Sequence, residues 1–454
     1  MFEQLKRILA KVQADYADLR YEIKRDTFIN FSGKELDRIG ANKTDGYVLR
    51  VLKGGGMSSV SFTRPEEAGA AIRSALDNAG LFSRNQEKPV ILAHSPVIRE
   101  NFSPLQKLDP AHITIDEKLE LTRRYNNIPL SQEKIITTNI GYADISREKY
   151  FLNTEGSEIN ENLVTVRMGG YITSKEGNLT QNLRISSGGS NGFQNVQNLE
   201  EMFEKRTKIV LDLLQAKPIP GGAANCVLNP SMAGVFAHEA FGHFSEADIV
   251  ESLPAMREKM QLGNILGNEV LSITDDATLP GQLGFYKYDD EGVAVRPVKL
   301  LTNGVLTGRL HSRRTAAEFN EPLSGHCVAE DFRYAPIIRM GTIFIEPGTL
   351  TLEELLNIAE NGYYILDAKG GQTSGENFTF GAQYGYEVIN GRLGQMVRDI
   401  NISGNLYQTL KDITQVGNDR VLSRTGGCGK GQTNIRSCHG APHVLVRDVI
   451  IGGV

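Results

Sequence analysis

Tryptophan is absent from this chain, cysteine occurs four times and histidine eight times in 454 residues. So few cysteines exclude a disulfide-built scaffold, and a cytoplasmic chain would keep them as thiols. No apolar run approaches the ~20 residues needed to cross a bilayer, so no membrane span is expected. The first twenty residues mix charges at helical spacing and lack an uninterrupted apolar stretch. That is not the pattern of a secretory signal, and a cytoplasmic location is the expectation. A basic surplus is missing too: 49 Lys and Arg stand against 54 Asp and Glu, for a net charge of −5. Direct nucleic-acid binding is therefore not expected. Nor is there any low-complexity tract or internal repeat.

What is present suits a soluble globular protein, with 40% hydrophobic and 23% charged residues. At roughly 100–200 residues per domain the length implies several units. Residues 1–88 read as an N-terminal α/β domain, with apolar Phe2, Leu5, Ile8, Leu9 and Val12 at helical spacing and alternating segments after them. Residues 89–113, with Pro89, Pro96 and Pro104, read as a linker. Residues 114–217 read as a central α+β domain whose turns at Glu155-Gly156 and Glu176-Gly177-Asn178 suit antiparallel hairpins. The cluster Pro218-Ile219-Pro220-Gly221-Gly222 marks the start of a mostly β C-terminal domain, 218–454. The fold class expected is α+β with largely antiparallel sheets.

Chemistry concentrates in one segment of the C-terminal domain. Asn229 can cap a helix that Pro230 opens, and Met232, Val235, Phe236, Ala240 and Phe244 make its apolar stripe. On the same helix sit His238, Glu239 and His243, followed by Glu246 and Asp248. Two imidazoles and a carboxylate suggest zinc, with the carboxylate activating a water. The bland alternative is a buried helix with two satisfied histidines. The spacing is i, i+5, which on a regular helix separates the residues by about 140° and about 7.5 Å. Zn–N bonds are only about 2.0–2.1 Å, so a shared ion demands irregular backbone: a π-bulge, or a break at Gly242 that turns His243 back. The expectation is a helix regular to about Glu239 and irregular between Ala240 and His243.

The run HEAFGHFSEAD, from His238 to Asp248, resembles the HExxxH signature of the TldD/PmbA family, whose members are described as metallopeptidases and as modulators of DNA gyrase. The likeness extends through Tyr288-Asp289-Asp290-Glu291-Gly292, LTNGVLTGRLHSRRTA, Arg339-Met340, Lys369-Gly370-Gly371-Gln372-Thr373, Val416-Gly417-Asn418-Asp419 and Gly427-Cys428-Gly429-Lys430-Gly431-Gln432, and so covers nearly the whole chain. With all three motif residues intact, the chain resembles the catalytic type. The resemblance implies zinc held by His238, His243 and Cys428, with Glu239 as general base. It implies a homodimer or heterodimer with a partner subunit, acting on unfolded or short peptides; a three-ligand site with a thiolate can, by its chemistry, be emptied or oxidised on handling. The contrasting reading is a non-enzymatic regulator that binds DNA gyrase or another protein.

Other residues are weighed beside these. Glu246 is a candidate to orient a zinc-binding histidine through its far nitrogen, and becomes the leading third ligand if Cys428 lies elsewhere. Cys438, with His439 and His443 in the tail TNIRSCHGAPH, is the rival thiol. Asp289-Asp290-Glu291 reads as a hairpin turn before it reads as a second metal site. Asp248 reads as a helix-end or surface residue. His311 and His326 read as loop residues, with His326-Cys327 able to line the cleft.

Overall fold

Alternation of apolar and polar residues from Tyr16 to Lys53 builds two long antiparallel strands, Tyr16–Ser32 and Glu35–Lys53. The computed structural model, which describes residues 1–453, continues this sheet past the first domain. Tyr16–Ser32 also pairs along its other side with Ile135–Asn153, so strands of the N-terminal and central units share one seven-stranded sheet. Ladders on both sides hold the strand continuous to Ser32. The stretch expected as linker contributes a short strand, Arg99–Phe102, parallel to Glu158–Glu161. The helix Ala68–Asn85 covers the N-terminal end of the sheet with Ala71, Ile72, Ala75 and Ala79. The helices Ile115–Leu130 and Glu200–Asp212 cover the other end, where Tyr125 stacks on Phe203 at 5.1 Å.

The C-terminal part is built from an eight-stranded sheet, a six-stranded sheet and a two-stranded ribbon, and the architecture is α+β. The strand Gly222–Leu228 lies in the larger sheet and leads straight into the helix that carries the two histidines. That helix packs on the short strand Cys438–Ala441, which runs parallel to Thr342–Ile345 in the six-stranded sheet. The two residues Val421–Leu422 form that sheet's outer edge. Among the described residues no helix is long and apolar enough to cross a membrane.

One face of the first strand is charged and still buried. Ala17, Leu19 and Tyr21 point into the apolar core, while Asp18, Arg20 and Glu22, alternating with them, lie under the C-terminal part. Arg50, opposite Asp18 in the ladder, joins Asp18 at 2.6 Å and Glu291 at 2.8 Å. Arg147 reaches Glu22 at 2.5 Å and Asp290 at 3.1 Å, and Lys149 reaches Glu161 at 3.0 Å and Asp290 at 3.1 Å. Asp289-Asp290-Glu291 does form a turn, closed by the Tyr288–Ala294 bridge. Its side chains are 1%, 1% and 3% exposed, and those of Asp290 and Glu291 are taken up by arginine and lysine. A second metal has no place there.

Burial works against the Asp290 charge, but Arg147, Arg20 and Lys149 hold its carboxyl below the usual carboxylate range. Its contribution to stability is therefore present above a pH of about 3.9, the unfolded value, and fades as pH falls through the lower folded one. Asp290→Ala is expected to destabilise the fold by about 3–5 kcal/mol, because it strands buried cations. Urea denaturation at neutral pH checks this, with Asp212→Ala, in an exposed Lys208–Asp212 pair, expected to shift the midpoint little.

Candidate metal centre

Asn229 caps the site helix as its sequence suggests, its Oδ1 accepting from the Met232 N–H at 2.9 Å. The α-helix runs from Pro230 to Phe236, gives way to a π-helical turn over Ala237–Phe241, and tightens into a 3₁₀ turn over Gly242–Ser245. The irregularity expected from the spacing is present and begins at Ala237, ahead of the histidines. A wider turn adds a residue to the cycle and brings His243 round to the face of His238. Gly242 is needed where the turn narrows again, since a Cβ there would meet Met340 Sδ at 2.1 Å. Met232, Phe236, Ala240 and Phe244 enter the core as the stripe requires, whereas Val235 lines the neighbouring cleft.

The two imidazoles stand at 5.5 Å between ring centres, nearly perpendicular. Cys428 Sγ lies 3.6 Å from His243 Nε2, and Glu239 Oε2 lies 3.5 Å from the same nitrogen. One donor atom from each of His238, Glu239, His243 and Cys428 falls within 4.8 Å of all the others. A tetrahedral ion with Zn–N and Zn–S bonds of about 2.0–2.3 Å holds its ligand atoms about 3.5 Å apart, so this spread suits one ion. His238 is 4% exposed and its Nδ1 has no hydrogen-bond partner, an orphan that a ligand would satisfy. Two imidazoles and a thiolate are a zinc donor set, and the residues fit that metal.

Cys428 arrives on a loop whose backbone bonds to Ile435 in both directions, at 3.1 and 3.0 Å. Gly426 lets the loop press on its return strand, because a Cβ there would fall 1.9 Å from the Ser437 carbonyl. Lys430 then pins the loop to the histidine segment, bonding Glu246 at 2.8 Å and Asp248 at 2.9 Å. Asp248 is thus an anchor for Lys430, a role its sequence context did not signal. Glu246 is fully buried between Lys430 and Arg339, with Oε2 3.6 Å from His243 Nδ1. It stands behind His243, and the cluster lies at the opposite nitrogen.

Cys438 stays outside the cluster, buried with its thiol on the Ser423 carbonyl at 3.1 Å. His443 is also apart, bonded to Asp419 at 2.6 Å and Tyr364 at 2.8 Å. His439, which the sequence reading left without a role, stands 6.1 Å from His238 by ring centres and lines the same cleft as Glu239. His311 and His326 are buried and paired with Glu321 and Asp275, both at 2.9 Å, and neither they nor Cys327 line the cleft.

The charges divide the imidazoles. Burial, then His243, His439 and Arg339, holds His238 well below its ordinary value, and burial pushes His439 down to about 4. Burial also opposes charge on His243, but hydrogen bonds to Cys428, Glu239 and Glu246 outweigh it and raise the pKa to about 11. Glu246, despite burial, is held below the carboxylate range by His243, Arg339 and Lys430.

Comparisons with known proteins show the family of the chain. Residues 17–79, 108–215 and 221–453 match the first, central and C-terminal domains of the PmbA/TldA metallopeptidases. A metalloprotease of Synechocystis is 32% identical, over 97% of this chain and 95% of its own. A metalloprotease of Methanocaldococcus jannaschii is 34% identical over 94% of both chains. A zinc metalloprotease TldD homolog of Saccharolobus solfataricus is 30% identical over 74% of this chain and 76% of its own. The crystal structure of TldE from Thermococcus kodakarensis superposes with a TM-score of 0.80 at 20% identity, covering 100% of both chains, and shows the same fold.

In metal-free protein, His243 is expected to remain protonated through neutral pH. The stability it confers is complete below the unfolded imidazole value of about 6.5 and is lost as pH rises toward about 11. A histidine NMR titration in chelator, assigned with His243→Gln, checks this, and a His243 resonance titrating in the ordinary range would contradict it.

Proposed function

The chain belongs to the PmbA/TldD family of metallopeptidases, and from that premise we propose that it hydrolyses peptide bonds at a zinc ion held by His238, His243 and Cys428. The observation that carries the reading is the convergence of four donor atoms within 4.8 Å, from a helix and a loop almost two hundred residues apart. Zinc, when bound, supplies Lewis acidity toward a scissile carbonyl and toward water.

The chain's own residues do the rest. Glu239, beside the cluster and open to the cleft, serves as general base: its carboxylate takes a proton from the attacking water and passes it to the leaving nitrogen. His238 and His243 must be neutral to act as ligands, so His243 would give up its proton on holding the metal. Glu246, held by Lys430 and Arg339, fixes the ring of His243 from its Nδ1 side. A cleft of about 430 Å³ opens on His238 and Glu239 and is bordered by the edge strand Val421–Leu422. An unfolded or short peptide would add there as a further strand, gripped through its main chain. In this reading the working unit is a dimer, with itself or with a partner subunit, as family resemblance implies, and it works in the cytoplasm. A purely regulatory role on DNA gyrase is the weaker reading, because it leaves the four converging donors without a purpose.

Glu239→Gln is expected to keep the fold and the zinc while hydrolysis of unstructured peptides falls by about 10²–10⁴-fold. Near-normal turnover in that variant would sink the mechanism. Cys428→Ala is expected to lose zinc by elemental analysis and activity with it, whereas Cys438→Ala, which removes a thiol outside the cluster, keeps both.

A further inference from the structure

A chain of net charge −5 carries a groove of the opposite sign beside its metal cluster. The cleft that opens on His238 and Glu239 is lined by Arg184, Arg206 and Arg424. A depression of about 410 Å³ next to it is lined by Arg38, Arg167 and Arg184. Arg184 and Ser186 line both, so the two adjoin and are taken together as one groove. Two carboxylates lie along it: Glu239 at the cluster, and Asp367, which is engaged by Arg206 and by Asn229. Arg38 has Asp37 at 3.3 Å. Among the described residues, Arg167, Arg184 and Arg424 pair with no carboxylate, and the buried Nε of Arg167 has no hydrogen-bond partner.

The fold places these guanidiniums together. Arg184, Ser186 and Gly188 share one face of the strand Leu179–Gly189. The backbone of Arg424 lies over that face, since a Cβ on Gly188 would come 3.3 Å from its carbonyl oxygen. The like charges are close enough to act on one another: burial, and then Arg184, lowers the pKa of Arg167. Like charges gathered without counter-charge cost folding free energy, and a ligand carrying carboxylates relieves that cost. Arginine binds carboxylate through paired, planar hydrogen bonds.

We propose that this groove selects acidic peptides, whose carboxylates pair with Arg184 and Arg424 while the main chain lies along Val421–Leu422. The proposal rests on the peptidase reading above and names its substrate class. A peptide is favoured over a nucleic acid because an exposed sheet edge, with Val421 56% exposed, and the carboxylate of Glu239 both line the groove.

The test uses full-length, zinc-loaded Glu239→Gln protein, which separates binding from turnover. Fluorescence anisotropy compares labelled peptides of equal length: acidic with an amidated C-terminus, neutral with a free carboxylate, and neutral amidated. A single-stranded oligonucleotide serves as competitor. The expected result is binding of an anionic peptide about tenfold or more tighter than the neutral amide, an advantage that shrinks with added salt. An advantage in the first peptide assigns the groove to side-chain carboxylates, and one confined to the second assigns it to the terminal carboxylate. The pair Arg184→Gln and Arg424→Gln should bring the ratio close to one, and lysine at both positions, which keeps the charge, should restore much of it. Equal affinity for all peptides, a preference indifferent to the glutamine pair, or an oligonucleotide that displaces the acidic peptide would overturn the proposal. Wild-type protein supplies a separate readout: acidic peptides that bind and are never cut count against the peptidase reading and leave the groove's selectivity standing.

Discussion

Everything at the metal centre depends on how the backbone absorbs five residues between two imidazoles. A regular helix would turn His238 and His243 to different sides. The π-helical turn at Ala237–Phe241 brings them onto one, and the 3₁₀ turn that follows ends the helix before Glu246. Such turns give up good hydrogen-bond geometry, and they persist where packing leaves no alternative. Here Ala237, Ala240 and Phe241 are buried in the main C-terminal core, and Met340 fills the space over Gly242. The irregular turn is thus held by the core beneath it.

Electrostatics ties the distant parts of the chain to this helix. Lys430 joins the Cys428 loop to Glu246 and Asp248 and so ties the loop to the histidine segment. Farther out, Asp290 and Glu291 reach into the charged face of the first sheet and bind Arg147, Lys149 and Arg50. Buried pairs of this kind add little net stability over apolar packing, yet breaking one is costly. They fix the register between the seven-stranded sheet and the C-terminal part. That register also fixes the arginine groove, whose two sides come from Leu179–Gly189 and from the segment around Arg424.

Much of this was legible in the residues. Asn229-Pro230 starts the site helix where the capping rule puts it, and Met232, Phe236, Ala240 and Phe244 turn to the core as their spacing requires. These are local effects, decided within one short stretch of chain. That strands of the first two units share one sheet was not legible, because pairing Tyr16–Ser32 with Ile135–Asn153 is a choice made across more than a hundred residues.

The sequence by itself determined the chemistry and its spacing. HEAFGH placed two imidazoles and a carboxylate within six positions and, through the 3.6-residue period, required an irregular turn if they were to meet. It could not determine which thiol meets them, since Cys428 and Cys438 are equivalent by residue type. Only the tertiary structure set one beside His243 and the other against the Ser423 carbonyl. It also decided the fate of the charges. Alternating Asp18, Arg20 and Glu22 reads locally as a solvent face, because a strand's own period cannot show what later packs upon it. The C-terminal part buried that face and left Arg184 and Arg424 open, and long-range packing alone makes that distinction.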